Sequence, residues 1–193
     1  EEASGFPGDF DLSDLKGANG FQVMGEGEFD RSGWSVSGAG DVNGDGIDDF
    51  LVGAKDGNSY YNTNAGTTYV VFGQATEFAA NLELSTLNGA NGFRIDGEDP
   101  FDRSGFSVSG AGDVNGDGID DLLIGAPGAY SDNYYGWTSY VVFGQTSGFA
   151  ASFNLSELNG TNGFRVDGAA SFDQSGWSVS GAGDVNGDRV DDF

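Results

Sequence analysis

Apolar and polar positions along the chain form short segments whose pattern recurs about every 70 residues. Within one period, four segments are typical of β-strands, because each is short, apolar or alternating, and bounded by turn-forming residues. In the first full period these segments are residues 34–40, 49–54, 67–72 and 93–96. A fifth segment, residues 82–87, fits either a short helical turn or an irregular crossing. The pattern predicts an all-β chain built from β-propeller blades of four antiparallel strands.

The repetition is close to identity. Residues 32–54 match residues 104–126 at 20 of 23 positions, and residues 175–193 match residues 32–50 at 17 of 19. We therefore divide the chain into an N-terminal segment with the outer strand of a preceding blade, two complete blades and a partial blade. These units are residues 1–33, 34–98, 106–168 and 177–193. Stacked solenoid coils are the alternative architecture, although their repeats are shorter.

The number of repeats is too small for a closed propeller, which typically has 4–8 blades. We therefore expect an incomplete propeller in this chain. Either the protein continues beyond Phe193 into further blades, beginning with a segment like residues 51–74, or copies of the chain associate with one another. The first of these is the expectation we favour.

The composition of the chain excludes several kinds of catalytic and metal site and several kinds of partner. The chain has 31 acidic and 7 basic residues, a net charge of −24, and neither histidine nor cysteine. Catalysis by Ser-His-Asp or Cys-His groups, zinc sites built on Cys or His, and disulfides are therefore excluded. Nucleic acid is not an expected partner, because phosphate binding needs a basic surface. No apolar run approaches the roughly 20 residues of a membrane span, so membrane insertion is not expected either.

An acidic loop, Asp-x-Asn-Gly-Asp-x-x-Asp-Asp, follows the first predicted strand of each repeat. Oxygen donors stand at positions 1, 3, 5 and 9, and position 7 offers its backbone carbonyl. Such hard oxygen donors favour calcium over zinc or copper, and magnesium prefers fewer protein ligands. We expect up to three Ca²⁺ sites, with these ligands: Asp41, Asn43, Asp45, Ile47 and Asp49; Asp113, Asn115, Asp117, Ile119 and Asp121; Asp184, Asn186, Asp188, Val190 and Asp192.

The start of each loop is similar to an EF-hand loop, but Val52 and Ile124 stand where the bidentate glutamate would be. The alternative is a metal-free Asp/Asn/Gly turn. Three carboxylates within nine residues would then repel one another without compensation, which favours a bound cation. Paired aspartates such as Asp48 and Asp49 also suggest acid–base catalysis, but Asp49 is assigned to the cation. We therefore expect no catalytic residues and no enzymatic activity.

The residues that carry a family resemblance are Phe72-Gly73, Phe143-Gly144, Gly125-Ala126-Pro127 and the acidic loops. Together they resemble FG-GAP repeats, the blades of the integrin α-subunit β-propeller and of many bacterial extracellular proteins. Residues 87–97 resemble the bacterial members in particular. The resemblance implies one calcium ion in the hairpin loop between the first and second strands of a blade. Two positions depart from it: Lys55 replaces the proline of Gly-Ala-Pro, and Arg189 replaces a loop glycine.

Three functions were compared. The first is a calcium-stabilised extracellular structural or adhesion module, secreted or at the cell surface, with a protein or glycan partner there. The second is a carbohydrate-binding, lectin-like propeller that uses loop aromatics, namely Tyr60, Tyr61, Tyr130, Tyr134, Tyr135 and Trp137. The third is an enzyme, which no nucleophile–base pattern supports. We favour the first. Phe29, Phe101 and Phe172, repeated before each first strand, are expected to fill the spaces between blades.

Overall fold

The computed structural model describes residues 9–57, 64–129, 137–170 and 173–193. Its regular structure in these ranges is eleven β-strands and three short 3₁₀ turns, Leu12–Asp14, Leu84–Thr86 and Leu155–Glu157. The strands are β1 (Gln22–Met24), β2 (Ser32–Gly40), β3 (Asp49–Ala54), β4 (Thr67–Val71), β5 (Asn81–Glu83), β6 (Gly92–Asp96), β7 (Ser107–Gly112), β8 (Asp121–Ala126), β9 (Thr138–Val142), β10 (Ser152–Asn154) and β11 (Gly163–Asp167). The predicted all-β class is confirmed.

Two antiparallel blades follow one another along the chain. In the first blade, strands β2, β3, β4 and β6 pair in that order, and in the second blade β7, β8, β9 and β11 do the same. Each second strand is buried on both faces, since its short apolar run packs against neighbours on either side. The four-stranded antiparallel blades predicted from the repeat are therefore present.

The segment left open in the sequence, residues 82–87, forms the end of a short strand and a 3₁₀ turn. In the sequence, strand β5 stands between β4 and β6, the third and fourth strands of its blade. In the structure it pairs in parallel with β1, which precedes that blade. Strand β10 repeats this arrangement and pairs in parallel with β6, the outer strand of the first blade. Each blade thus adds a three-residue strand to the outer edge of the unit before it.

The junctions between units combine an apolar core with a repeated polar contact. Phe93 lies between the two blades and stacks on Phe149 with ring centroids 4.1 Å apart. Beside this core, Glu98 at the end of the first blade accepts hydrogen bonds from the Tyr140 hydroxyl at 3.0 Å and the Arg165 guanidinium at 2.9 Å. Glu26 makes the equivalent contacts with Tyr69 and Arg94. The same contact of a glutamate with a tyrosine and an arginine therefore occurs at both junctions.

Two sequence expectations differ from the structure. Phe29 and Phe101 are 87% and 56% exposed, so they do not fill the spaces between blades, and Phe172 lies outside the described residues. Their backbones are left-handed, with φ of 71° and 72°, which turns the side chains away from the core. Within residues 173–193, the β-contact described is a bridge from Gly183 to Asp192.

Asp102, in the loop between β6 and β7, is a buried carboxyl group. It is 1% exposed, and its Oδ2 accepts the Asp99 N–H at 2.7 Å, while Oδ1 has no partner among the described residues. Burial raises the pKa of Asp102 to about 7; the charges of Asp99 and Glu98 act in the same direction, and Arg165 opposes them. Since the unfolded pKa is about 3.9, ionisation is disfavoured in the fold, and this penalty grows as the pH rises from about 4 to about 7.

We therefore expect Asp102→Asn to remove a pH-dependent loss of stability. The variant's stability advantage over the wild type should be larger at pH 8 than at pH 5, by on the order of 2 kcal/mol. Urea unfolding at the two pH values measures the difference. The control is Asp173→Asn at the equivalent, exposed position. An advantage that does not change with pH would contradict the expectation.

Candidate metal centre

The three acidic loops lie at equivalent places in the repeat. Residues 41–49 connect β2 to β3, residues 113–121 connect β7 to β8, and residues 184–192 are the equivalent loop of the last repeat. In the first two loops, the first residue directly follows the glycine that ends one strand, and the ninth residue begins the next strand. In the third loop, a bridge between Gly183 and Asp192 joins the two ends. The blade therefore brings both ends of the predicted ligand set together at one hairpin.

The backbone of each loop holds its own side chains. In the first loop, Asp41 accepts hydrogen bonds from the N–H groups of Asp45 and Gly46, at 3.0 and 2.8 Å. Asn43 Oδ1 accepts the Asp45 N–H at 2.8 Å, and Asp45 Oδ1 accepts the Ile47 N–H at 2.9 Å. The second and third loops repeat these contacts at their equivalent residues. Oxygens at positions 1, 3 and 5 are thus oriented by the loop itself.

The ninth residue is the buried member of the set. Asp49 accepts the Val42 N–H at 3.1 Å and the Gly73 N–H at 2.8 Å, which ties the loop to the Phe-Gly motif after β4. Asp121 makes the same pair of contacts in the second blade. Burial, helped by the nearby charges of Asp45 and Asp41, raises the pKa of Asp49 to about 6, although the hydrogen bonds from Gly73 and Val42 oppose this shift. A cation would offset both effects.

The donor set fits calcium by its chemistry, since each loop offers three carboxylates, one side-chain amide and one backbone carbonyl. In the described residues, however, no three acidic side chains converge closely enough to hold an ion as they are placed. The carboxylates face the amide groups of their own loops instead. The predicted ligands therefore share one loop in each repeat, and calcium binding remains a prediction.

The third loop differs from the others at one backbone position. Gly46 and Gly118 have φ of 86° and 88°, and Arg189, which replaces them, has φ of 77°. This position therefore needs the left-handed conformation, which costs a residue with a Cβ roughly 1 kcal/mol. A Cβ at Gly46 or Gly118 would meet no atom within 4 Å, so the backbone alone opposes the side chain.

We expect Arg189→Gly to tighten calcium binding by the third loop about fivefold, because the variant relieves roughly 1 kcal/mol of strain. Calorimetric titration of a chain whose first two loops are disabled by Asp45→Ala and Asp117→Ala measures that loop alone. Arg103→Gly, at another left-handed arginine but outside the loops, is the control for relieving strain elsewhere. Unchanged affinity in Arg189→Gly would refute the explanation.

A row of aromatic rings, which the sequence did not single out, joins equivalent positions of successive repeats. Trp34, Phe106 and Trp177 stand at the start of the three first-strand segments, with neighbouring ring centroids 5.7 and 4.6 Å apart. Trp137 extends the row, 5.7 Å from Trp177. Trp34 and Trp177 are half exposed. The other five aromatics predicted to bind carbohydrate, namely Tyr60, Tyr61, Tyr130, Tyr134 and Tyr135, lie outside the described residues.

Successive four-stranded antiparallel blades, each with an acidic loop after its first strand, define a repeat protein of the β-propeller class. The chain is an FG-GAP repeat protein: the FG-GAP repeat model matches residues 32–71 and 104–142. The first match begins with β2 and the second begins three residues before β7; each ends with the third strand of its blade and includes a complete acidic loop.

Similar proteins carry these repeats within much longer chains. Phosphatidylinositol-glycan-specific phospholipase D of Bos taurus is 30% identical over 166 residues, which are 86% of this chain and 18% of that protein. Integrin alpha pat-2 of Caenorhabditis elegans is 31% identical over 155 residues, 79% of this chain and 12% of that protein. Integrin alpha-PS2 of Drosophila melanogaster is 33% identical over 115 residues, 57% of this chain and 8% of that protein. The chain thus spans less than a fifth of these relatives. Its predicted likeness to bacterial members stays a prediction.

The helical turns in the described ranges have three residues each, and none has the length or apolar character needed to cross a membrane.

Proposed function

We propose that this chain is part of a calcium-binding, non-catalytic extracellular module that acts in adhesion or in a cell-surface assembly. The observation that carries the proposal is the acidic loop present in three copies, with side chains held by the same hydrogen bonds in each. FG-GAP repeats and relatives named integrin alpha support the adhesion-type role. The partner we propose is a protein or glycan at the cell surface, with further blades or further copies completing the assembly.

Calcium is the proposed ligand because of charge and donor type. Each loop places four aspartates within nine residues, in a chain of net charge −24. Three of the four are predicted ligands, and one of those three is buried in each complete blade. Binding a divalent cation would relieve repulsion within the loop and neutralise the buried group. The hydrogen bonds within the loops leave lone pairs on the carboxylates, since each oxygen can accept more than one bond.

Calorimetric titration of the chelator-treated chain with CaCl₂ tests the proposal. We expect three ions per chain, falling to two in Asp45→Ala because that variant removes the central carboxylate of one loop. Asp56→Ala, an acidic residue outside the loops, is the matched control and should keep three. Absence of calcium binding by the wild type at millimolar concentration would overturn the proposal.

The second candidate is carbohydrate binding, which the row of aromatic rings favours. Trp34 and Trp177 in this row are half exposed, and the faces of exposed aromatic rings can stack on sugar rings. The Lys55 ammonium lies 4.4 Å from the Trp34 ring centroid, so a cation already covers part of that surface. Because Lys55 covers part of the row, carbohydrate binding is the second proposal and the structural role remains the first.

A glycan array separates the two candidates. The chain is applied in calcium, beside the Trp177→Ala variant and, as a control for an exposed aromatic outside the row, the Phe29→Ala variant. Binding to a defined glycan that is lost in Trp177→Ala alone supports the carbohydrate-binding function. Absence of binding to every glycan supports the structural or protein-binding role.

The proposed function excludes catalysis by this chain. The phospholipase D in the relative's name is that protein's activity, and the shared repeats cover 18% of its length. The absence of histidine and cysteine from the sequence excludes the nucleophile–base pairs that depend on them. We assign the module to structure and recognition accordingly.

A further inference from the structure

In the second and third loops, the aspartate just before the last predicted ligand contacts the preceding unit. Asp120 Oδ2 accepts the Asp41 N–H at 2.7 Å, and the Asp120 N–H donates to the Asp41 carbonyl at 3.3 Å. At the next junction, Asp191 makes both contacts with Asp113, each at 3.0 Å. The first ligand residue of one loop is therefore held through its own N–H and carbonyl by the eighth residue of the next loop.

The chain leaves room for this carboxylate at both junctions. Gly40 and Gly112, which precede the first ligand, have φ of 73° and 72°. A Cβ at Gly40 would overlap Asp120 Oδ2, and a Cβ at Gly112 would overlap Asp191 Oδ2. These glycines therefore serve two purposes, because they permit the turn into the loop and also the close approach of the neighbouring aspartate.

Further contacts fix the first loop on the second blade. The Val42 carbonyl, one residue after the first ligand, accepts the Gln145 N–H at 3.0 Å. Val42 itself is fully buried. By contrast Asp48, the eighth residue of the first loop, is exposed, and its carboxylate has no hydrogen bond within the described ranges. The same motif position thus occurs with and without a neighbouring loop, which provides an internal control.

We propose that Asp120 and Asp191 are positioning residues that couple calcium binding between neighbouring loops. This rests on the proposed calcium function. Asp120 is adjacent in sequence to Asp121, so ordering the second loop around a cation fixes Asp120 as well. Asp120 in turn fixes the peptide groups of Asp41 in the first loop. Because such coupling is reciprocal, an ion in either loop strengthens binding in the other.

The negative charge of Asp120, like its hydrogen bonds, favours binding of a cation by the first loop. Its carboxylate lies against the backbone of the first loop, where it adds negative charge without being one of that loop's predicted ligands. A cation in the first loop is therefore attracted to a group that belongs to the second blade. Loop filling and docking of the two blades then stabilise each other.

A thermodynamic cycle tests the coupling. All chains carry Asp188→Ala, so that only the first two loops bind calcium, and each loop is also measured alone in Asp117→Ala and Asp45→Ala chains. We expect the overall binding constant of the two-loop chain to exceed the product of the two single-loop constants about fivefold, the low end of typical coupling. Adding Asp120→Ala should make the two equal, whereas Asp48→Ala should leave the excess unchanged.

A second measurement avoids substituting Asp120. Hydrogen exchange of the Asp41 amide reports its bond to Asp120 directly, and in calcium we expect Asp117→Ala to lower its protection at least fivefold. Independent loops in the parent chain, loss of the excess in Asp48→Ala, or unchanged protection of the Asp41 amide would each overturn the coupling while calcium still binds. Absence of calcium binding by the wild-type chain would instead overturn the proposed function.

Discussion

Removal of calcium is expected to lower the melting temperature of the chain by about 15 °C or more. An ion that binds only the folded state stabilises it by about 2.7 kcal/mol when its concentration is 100 times the dissociation constant. Three filled loops would contribute about 8 kcal/mol, and each kcal/mol shifts the melting temperature by about 2–4 °C in a chain of this size. Three ions would also change the net charge from −24 to −18.

Scanning calorimetry with excess CaCl₂ and with excess chelator measures this shift. A chain with all three loops disabled, by Asp45→Ala, Asp117→Ala and Asp188→Ala, is the control and should melt at the same temperature in both conditions. Magnesium at the same concentration should restore little of the shift, because it prefers fewer protein ligands. Identical melting curves of the wild-type chain in calcium and chelator would refute the expectation.

The second large effect is expected from Gly53→Ala in β3. An alanine Cβ would overlap the Gly105 carbonyl oxygen of the next blade and the Ser35 hydroxyl. Ser35 donates to that same carbonyl at 2.8 Å, so the substitution also disturbs a contact between the blades. Because backbone atoms on the far side cannot rotate away, we expect a loss of about 3 kcal/mol and a melting temperature lower by roughly 10 °C.

Gly38→Ala in the adjacent strand β2 is the matched control. A Cβ at Gly38 would meet nothing within 4 Å and its φ is not left-handed, so the expected change is within about 0.5 kcal/mol. Gly125→Ala, the equivalent of Gly53 in the second blade, should repeat the large effect, since its Cβ would overlap the Gly176 carbonyl. Chemical unfolding of the three variants gives the comparison, and equal losses in Gly38→Ala and Gly53→Ala would contradict it.

The strands and their order could be predicted from the sequence, because the repeat aligns each apolar segment with its copies. Which glycines are crowded by a neighbouring blade could not be predicted from the sequence. Gly38 and Gly53 both stand in predicted strands, yet of these two only Gly53 faces the backbone of the next blade. Which glycine is crowded depends on the angle between blades, and that angle is not encoded in the local pattern.

In the acidic loops, too, some features could be predicted from the sequence and others could not. Their ligand pattern is visible in the sequence, and so is the arginine at a left-handed position. The contact between Asp41 and Asp120 could not be predicted from the sequence, because it joins residues 79 positions apart. The spacing of residues within one loop carries no information about the position of the next loop. The predicted burial of Phe29 is wrong: an aromatic residue next to a strand suggests burial, but the backbone of Phe29 is left-handed and its side chain is exposed.

The pairing of β10 with β6 has a consequence for the order of events during synthesis. Arg94 pairs with Ser152, so the outer edge of the first blade is covered only after 58 further residues have been made. At about 5–20 residues per second, that edge stays open for roughly 3–12 seconds on the ribosome. Each repeat therefore closes the one translated before it, and a pause in translation would prolong the exposure of a strand edge able to pair with another nascent chain.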